Sequence, residues 1–273
     1  MRKSSTSSYH SVRSPSVNAN LVFQTSPLPV PSTSRYGCFS ASAKRYKFLR
    51  RLLKFHQMDF EFAFWQTINL FISPQKVYRN FQYRKQSKSQ FARDDPAFLV
   101  LLGVWICITS IAFKFVLDLH FVGFVKFLLY TLFVDCIAVS VVVASVSWFV
   151  LNRYFRKPQC LNEDVEWGYT FDVHLNAYFP SLILLHLVQL FFYHIFISQD
   201  WFLSRVFGNL LWVISIGYYV YITFLGYSSV PILQNVKVIL YFLPVLILLY
   251  LLSLAIGFNV TVALMNFYVN RVI

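Results

Sequence analysis

The sequence is poor in charged residues. Only 13% of its 273 residues are Asp, Glu, Lys or Arg, whereas soluble proteins average about 25%. Hydrophobic residues make up 57% of the chain, and the mean hydropathy is +0.55. So few charges cannot cover a surface that faces water. The composition therefore excludes an ordinary soluble domain and indicates a membrane protein.

Cysteine is also scarce, and the common catalytic and metal-binding motifs are missing. The four cysteines form no CxxC pair, so the spacing supports neither a zinc site nor a disulfide framework. The chain contains no P-loop, no GxGxxG, no GxSxG and no HExxH motif. We therefore expect a protein that is not an enzyme and that holds no cofactor and no metal.

Positive charge is present, but it is concentrated near the N-terminus. The whole chain carries a net charge of +13, and residues 1–96 account for +12 of it. Residues 1–43 are rich in Ser, Pro and Thr, which predicts a disordered tail. A basic segment joined to an apolar body indicates an anionic partner, for which membrane headgroups and RNA are the two candidates.

Residues 44–55 alternate basic side chains with Leu, Tyr and Phe, and an aromatic-rich run follows at 58–65. This pattern is typical of an amphipathic helix at the membrane interface. Aromatic residues interleaved with basic ones also permit RNA stacking, and a solvated helix packed on the rest of the chain is a third interpretation. The candidate lipid-binding or RNA-binding residues are Lys44, Arg45, Lys47, Arg50, Arg51 and Lys54.

Five apolar segments are long enough to cross a bilayer, which takes about 20 residues. Asp95 and Pro96 mark the start of the first. The predicted fold is therefore an all-α membrane protein with about five transmembrane helices, an amphipathic interfacial helix and a disordered basic tail. The predicted spans are residues 97–117, 121–151, 177–197, 207–227 and 238–258. The predicted regions are the tail 1–43, a basic cytosolic segment 44–95, and a transmembrane domain 96–273 with a cytosolic loop 152–176.

The distribution of Lys and Arg predicts the orientation. The strongly basic flank before the first span should stay in the cytosol, and an odd number of spans then places the C-terminus in the lumen. Asn259, Val260 and Thr261 form a glycosylation sequon on that lumenal side. We expect poor use of this sequon because it lies close to the membrane.

Some polar residues inside the predicted spans are candidates for an interior role. Asp135 lies near the middle of the second span, where a carboxylate costs roughly 2.5–3.5 kcal/mol on insertion scales. His186 and Gln189 lie on one face of the third span, and a hydrogen bond from His186 to Asp135 is our hypothesis. These residues either join helices or line an ion or proton path, as in a small transporter or channel.

The segment 158–176 is the most polar stretch after the tail. Its candidate partner-binding residues are Glu166, Trp167, Tyr169, Asp172 and His174, and Trp167 and Tyr169 are expected to be exposed anchors. Alternatively, its acidic groups clamp the basic segment 75–93. The spacing matches no compact metal-ligand motif.

Several polar strings resemble the Unc-fifty (uncoordinated-fifty) family of multi-pass Golgi membrane proteins, and the resemblance covers roughly residues 45–273. The strings are residues 57–63 (QMDFEFA), 73–81 (SPQKVYRNF), 92–98 (ARDDPAF), 164–169 (DVEWGY), 171–176 (FDVHLN) and 223–227 (TFLGY).

The resemblance implies a non-enzymatic Golgi membrane protein in protein trafficking that helps nicotinic acetylcholine receptors reach the cell surface. Partners implied for the family are Arf guanine-nucleotide exchange factors and receptor subunits as cargo. Some relatives are described at the inner nuclear membrane with RNA binding, which is the alternative function. The family provides no catalytic residue to transfer.

Overall fold

A computed structural model describes residue 50, residue 52 and residues 54–88, 92–93, 95–160 and 163–272. The predicted disordered tail, residues 1–43, lies outside the described residues. The described part of the chain is helical, and its one β-bridge joins Arg156 and Leu233 in the loops between helices. The predicted all-α class is thus confirmed.

From Phe60 to Val272, two short α-helices precede five long helices, and a further short α-helix follows them. We number the helices of the described residues in chain order. They are α1 (Phe60–Ile72), α2 (Pro74–Lys88), α3 (Ala97–Val116), α4 (Phe121–Phe155), α5 (Trp167–Ile197), α6 (Phe202–Ser228), α7 (Val236–Ala255) and α8 (Val260–Val272).

The five long helices α3 to α7 are long and apolar enough to cross a membrane. The shortest has 20 residues, or about 30 Å at 1.5 Å per residue, which matches the hydrocarbon thickness of a bilayer. Many of their outward-facing side chains are large and apolar, such as Val142 and Leu248. Lipid rather than water suits such a surface, so the prediction of five transmembrane helices is confirmed.

The prediction for the third span was wrong at its start. Helix α5 begins at Trp167, ten residues before the predicted boundary, so the second half of the expected loop 158–176 is helical. Hydropathy misses this part because residues 167–176 carry several polar side chains. These side chains are buried against other helices, where they have partners. Pro180 consequently lies well inside the helix.

The spans pack as antiparallel neighbours joined by interhelical hydrogen bonds. Thr170 on α5 donates to the Ala144 carbonyl on α4 at 3.0 Å, and Asn209 on α6 donates to Ser253 on α7 at 3.0 Å. Such contacts are typical of membrane bundles, where apolar burial alone does not favour one helix pairing over another. We call the end where α4 and α6 finish the basic end, and the end where α3 and α5 finish the opposite end.

The C-terminal residues form helix α8, which starts at the opposite end and packs back against the spans. The side chain of Asn259 caps this helix by accepting from the backbone N–H groups of Thr261 and Val262 at 3.1 and 3.2 Å. Its amide nitrogen donates to the Ile197 carbonyl at 3.1 Å, and Thr261 is fully buried. The sequon is thus engaged within the folded structure, which favours poor glycosylation.

Helices α5 and α6 approach each other closely at Gly226. A Cβ atom added there would lie 2.8 Å from both γ-carbons of Val173 and 3.1 Å from a ring carbon of Tyr78. Real Cβ atoms do not come this near to other atoms, so glycine is required for this crossing. At Gly217 on the same helix, an added Cβ would meet only Leu243, at an ordinary 3.8 Å.

We therefore predict that Gly226→Ala lowers the thermal unfolding temperature of the detergent-solubilised protein, while Gly217→Ala does not. Overpacking costs about 1–3 kcal/mol, whereas alanine in an open helical position is slightly favourable. The two variants make the same chemical change in one helix, so they form a matched pair. Equal unfolding temperatures for the two would contradict the close crossing.

Candidate functional site

A buried ion pair lies near the basic end of the bundle. Nε of Arg93 is 3.1 Å from Oδ1 of Asp172, and the two side chains are only 4% and 9% exposed. The backbone N–H of Arg93 donates to the other carboxylate oxygen at 2.6 Å. Asp172 thus binds both the side chain and the backbone of Arg93. This double contact joins the segment before α3 to helix α5.

Two amide side chains complete the site around the guanidinium group of Arg93. Nη2 donates to Oδ1 of Asn176 at 2.9 Å, and Nη1 donates to Oε1 of Gln66 at 3.3 Å. Gln66 also donates to Asn176 at 2.7 Å. Because Gln66 belongs to α1 and Asn176 to α5, the network joins these two helices to the segment that carries Arg93.

Aromatic rings cover the remaining surface of the cation. Cζ of Arg93 lies 4.4 Å from the ring centre of Phe98 and 5.7 Å from that of Phe81. Cation–π contacts of this kind are stronger where water is excluded. Tyr78 on α2 is buried nearby, and burial raises the pKa of its phenol well above the usual value. The phenol therefore stays neutral.

The predicted clamp between the acidic segment and the basic segment is confirmed at two adjacent residues. Oε2 of Glu166 accepts from the backbone N–H of Ala92 at 3.2 Å, next to the Arg93–Asp172 pair. A further acidic residue of the segment, Asp164, pairs instead with Arg156, which lies in the same connection between α4 and α5. The acidic groups thus face separate partners.

The expectation that Tyr169 is an exposed anchor was wrong. Its side chain is fully buried, and its hydroxyl donates to the Gly226 carbonyl at 2.6 Å and lies 2.9 Å from the Ser229 hydroxyl. The residue joins the start of α5 to the end of α6. A phenol suits this place because its hydroxyl reaches the Gly226 carbonyl in the last turn of α6, which also accepts from Ser229.

Trp167 and His174 also connect helices. Trp167 is half-buried, and its indole N–H donates to the Ser145 hydroxyl on α4 at 3.1 Å. His174 is buried, with Nδ1 2.7 Å from the Tyr219 hydroxyl on α6. Of the five candidate partner-binding residues, Tyr169, Asp172 and His174 are therefore interior.

Most candidate lipid-binding or RNA-binding residues lie outside the described residues. This applies to Lys44, Arg45, Lys47 and Arg51. Arg50 and Lys54 are described, and both are exposed. Binding by this segment stays a prediction.

Asp135 has a partner other than the predicted one. The Tyr268 hydroxyl of α8 donates to Oδ2 of Asp135 at 2.9 Å, so the hypothesis of a His186–Asp135 hydrogen bond was wrong. His186 instead packs edge-on against Phe113, at a centroid distance of 5.0 Å. A hydrogen bond from a phenol reduces the cost of a carboxylate inside the bundle. The sequence pointed to Asp135 but not to α8, because residues 260–272 look like an unremarkable C-terminal tail.

Gln189 lies in a second interior polar cluster. When its amide oxygen faces Thr261 and Trp212, it accepts from the Thr261 hydroxyl and from the Trp212 indole N–H at 3.0 Å, while its nitrogen donates to the Leu185 carbonyl at 3.2 Å. Both clusters attach α8 to the spans. Within the described ranges, no group of three or more His, Cys, Asp or Glu side chains is placed to hold a metal ion.

Two exposed aromatic residues near the basic end were missed by sequence reasoning. Tyr83 on α2 is 65% exposed, and Tyr154 at the end of α4 is 70% exposed. Both tyrosines lie among basic residues in the sequence. Many buried aromatic residues have basic neighbours too, so this feature does not predict exposure. Only the neighbours in the fold distinguish these residues from interior ones.

The fold and its interior polar contacts define a polytopic α-helical membrane protein with five spans and short accessory helices at both ends. Comparison with known proteins then identifies the family. The profile of the UNC-50 family matches residues 48–269, and the chain belongs to this family. This confirms the resemblance seen in the polar strings.

The chain is similar to several proteins named "Protein unc-50 homolog". One from Drosophila melanogaster is 59% identical over 247 residues, which is 90% of each chain. One from Homo sapiens is 55% identical over 233 residues, covering 85% of this chain and 90% of the relative. "Protein unc-50 homolog A" from Xenopus laevis is 57% identical with the same coverage. No solved structure matches the chain.

We predict that Arg93→Met strongly destabilises the protein, because it leaves Asp172 buried without its cation. Removing one partner of a buried pair costs about 3–5 kcal/mol. Adding Asp172→Leu should restore part of that loss, since the buried charge is then gone. Thermal unfolding of the solubilised protein measures both effects.

The matched control is Arg156→Met, since Arg156 pairs with the largely exposed carboxylate of Asp164. Exposed pairs contribute only about 0–1 kcal/mol, so this variant should unfold close to the wild type. A similar loss for the two arginine variants would show that the buried network is not a special source of stability.

We also predict that Tyr268→Phe destabilises the protein by about 1–3 kcal/mol, because Asp135 then lacks its hydrogen bond in the interior. Combining it with Asp135→Leu should recover stability, since no polar group is then left without a partner. Tyr241→Phe, at a tyrosine that is 71% exposed, is the control. A double variant that is less stable than Tyr268→Phe would contradict this explanation, because the loss of stability would then not come from an unpartnered Asp135 carboxylate.

Proposed function

We propose that this protein is a non-enzymatic trafficking factor of Golgi membranes that supports the transport of membrane cargo such as nicotinic acetylcholine receptors to the cell surface. The observation that carries the proposal is membership of the UNC-50 family over residues 48–269. The names of the relatives give no enzymatic role. A scaffold that binds other proteins is the function class that these facts favour.

The interior contacts support a scaffold over a catalyst. The charged and polar residues near the basic end are used to join helices, as in the Arg93–Asp172 pair and the Tyr169 contact with Gly226. Each holds a surface in place instead of opening a cleft. A rigid surface costs less entropy on binding than a mobile one.

The distribution of charge supports an orientation with the basic end in the cytosol. More Lys and Arg lie there than at the opposite end, which is the usual pattern for cytosolic loops. The N-terminus is then cytosolic, and the chain after α7 begins on the lumenal side. The residues at the basic end are Lys76, Arg79, Arg153, Arg156, Lys157 and Lys237, and those near the opposite end are Lys114, Lys126 and Arg205.

The exposed tyrosines Tyr83 and Tyr154 are the best-placed anchors for a cytosolic partner. Aromatic side chains and Arg are enriched among residues that dominate binding energy. Arg153 is exposed next to Tyr154 on α4. An Arf guanine-nucleotide exchange factor is the partner that we propose for this surface.

The test is affinity capture of the tagged full-length protein from gently solubilised Golgi membranes. We expect wild type to recover an Arf exchange factor or receptor subunits, and the Tyr83→Ala/Tyr154→Ala variant to recover at least tenfold less. Loss of one well-buried aromatic anchor costs about 2 kcal/mol or more, which corresponds to a factor of roughly thirty.

The control variant is Trp201→Ala, which removes a 64% exposed aromatic residue from the turn at the opposite end. It should capture partners as wild type does. Equal recovery by all three proteins would exclude the tyrosine surface. Recovery of RNA in place of these proteins would argue against the trafficking proposal as a whole.

A further inference from the structure

Helix α1 has the reverse polarity of a helix on a protein surface in water. Its outward side chains after the first turn are apolar, with Phe64 55%, Ile68 42% and Ile72 76% exposed, while Glu61 in the first turn is an exposed charged residue. Its buried face contains the polar residues Gln66 and Thr67. A surface helix in water would place polar side chains outward, so the outward face of α1 suits acyl chains.

The C-terminal end of α1 packs beside span α5. Its Phe71 ring packs edge-on against Phe179 of α5 at a centroid distance of 5.8 Å. Helix α5 has 31 residues, or ~46 Å, which is longer than the ~30 Å core of a bilayer, and its first turns are polar. Phe179 follows these polar turns, so this end of α1 reaches the apolar part of α5.

The hydrogen bonds at this end give the last carbonyls of α1 a partner within the protein. The hydroxyl of Tyr218 on α6 donates to the carbonyls of Leu70 and Phe71 at 2.7 and 3.2 Å. The last carbonyls of a helix have no partner within the helix, and in hydrocarbon water cannot supply one. Asn69 donates within α1 to the Trp65 carbonyl at 2.8 Å, so its amide also has a partner in the helix.

Helix α2 then returns toward the basic end. Its buried face includes Tyr78, which contacts α6 at Gly226, and one turn later Gln82 donates to the Ser229 carbonyl at 3.2 Å. Its outward face is polar and basic, with Lys76 and Arg79 exposed. Long basic side chains can extend along apolar surface to reach headgroups.

We propose that α1 and α2 form a re-entrant helical hairpin that inserts into one leaflet of the membrane and binds anionic phospholipid. The acyl chains contact the outward face of α1, and the anionic headgroup contacts Lys76 and Arg79 of α2. The hairpin enters and leaves at the basic end, and the Arg93 network holds α1 against α5 through Gln66. The surface is continuous with the lipid-facing surface of the spans.

The first experiment measures depth on the full-length protein in vesicles. Nitroxide labels are placed at single cysteines after replacement of Cys38, Cys107, Cys136 and Cys160. We expect labels at Ile68→Cys to be accessible to oxygen but not to a water-soluble nickel chelate, as at Val142→Cys on α4, which faces lipid. A label at Gln82→Cys should be accessible to the nickel chelate and much less accessible to oxygen.

Accessibility of the Ile68→Cys label to the nickel chelate would overturn the hairpin, because the helix would then lie in water. Shielding of that label from both reagents would overturn it too, because protein would then cover the face. Circular dichroism and gel filtration of each labelled protein confirm that the fold is kept.

The second experiment tests the headgroup contact with spin-labelled phosphatidylserine and phosphatidylcholine. We expect wild type to prefer phosphatidylserine, and Lys76→Gln with Arg79→Gln to reduce this preference about fivefold for each charge removed. Lys126→Gln, near the opposite end, is the control and should leave the preference close to wild type. An unchanged preference in the double variant would overturn the headgroup site while the depth measurement stands.

Discussion

The ion pair between Arg93 and Asp172 is the interaction on which the basic end of this protein depends. A buried charge is very costly unless it is paired and its remaining donors are bonded. Arg93 meets this requirement with groups from two other segments, since Gln66 belongs to α1, and Asp172 and Asn176 belong to α5. The cation thus joins α1, the segment before α3 and the first turns of α5 at the basic end.

The same requirement explains the opposite half of the bundle. Asp135 lies inside a span, and Tyr268 of α8 is the group that bonds to it. Gln189 likewise has its partners on α8 and α6. Asp135 and Gln189 thus hold α8 against the spans, as Arg93 holds α1 through Gln66.

These placements change where a partner can bind. The acidic segment that looked like a docking surface is largely used inside the fold, because Tyr169, Asp172 and His174 are all buried. The surfaces left open are the exposed tyrosines near the basic end and the outward faces of α1 and α2. A trafficking scaffold with a protein-binding surface beside a lipid-binding hairpin is consistent with this arrangement, since both lie near one end of the bundle.

The sequence by itself determined the membrane class, the five spans, several helix ends and the family. Ala97 and Phe121 start their helices as predicted, because apolar length and capping residues are local properties. Only the tertiary structure decided the partners of the polar residues. Arg93 and Asp172 are 79 residues apart, and Asp135 and Tyr268 are 133 apart. No periodicity connects positions so distant, so whether Tyr169 is an exposed anchor or an interior contact depends on which helices meet in space.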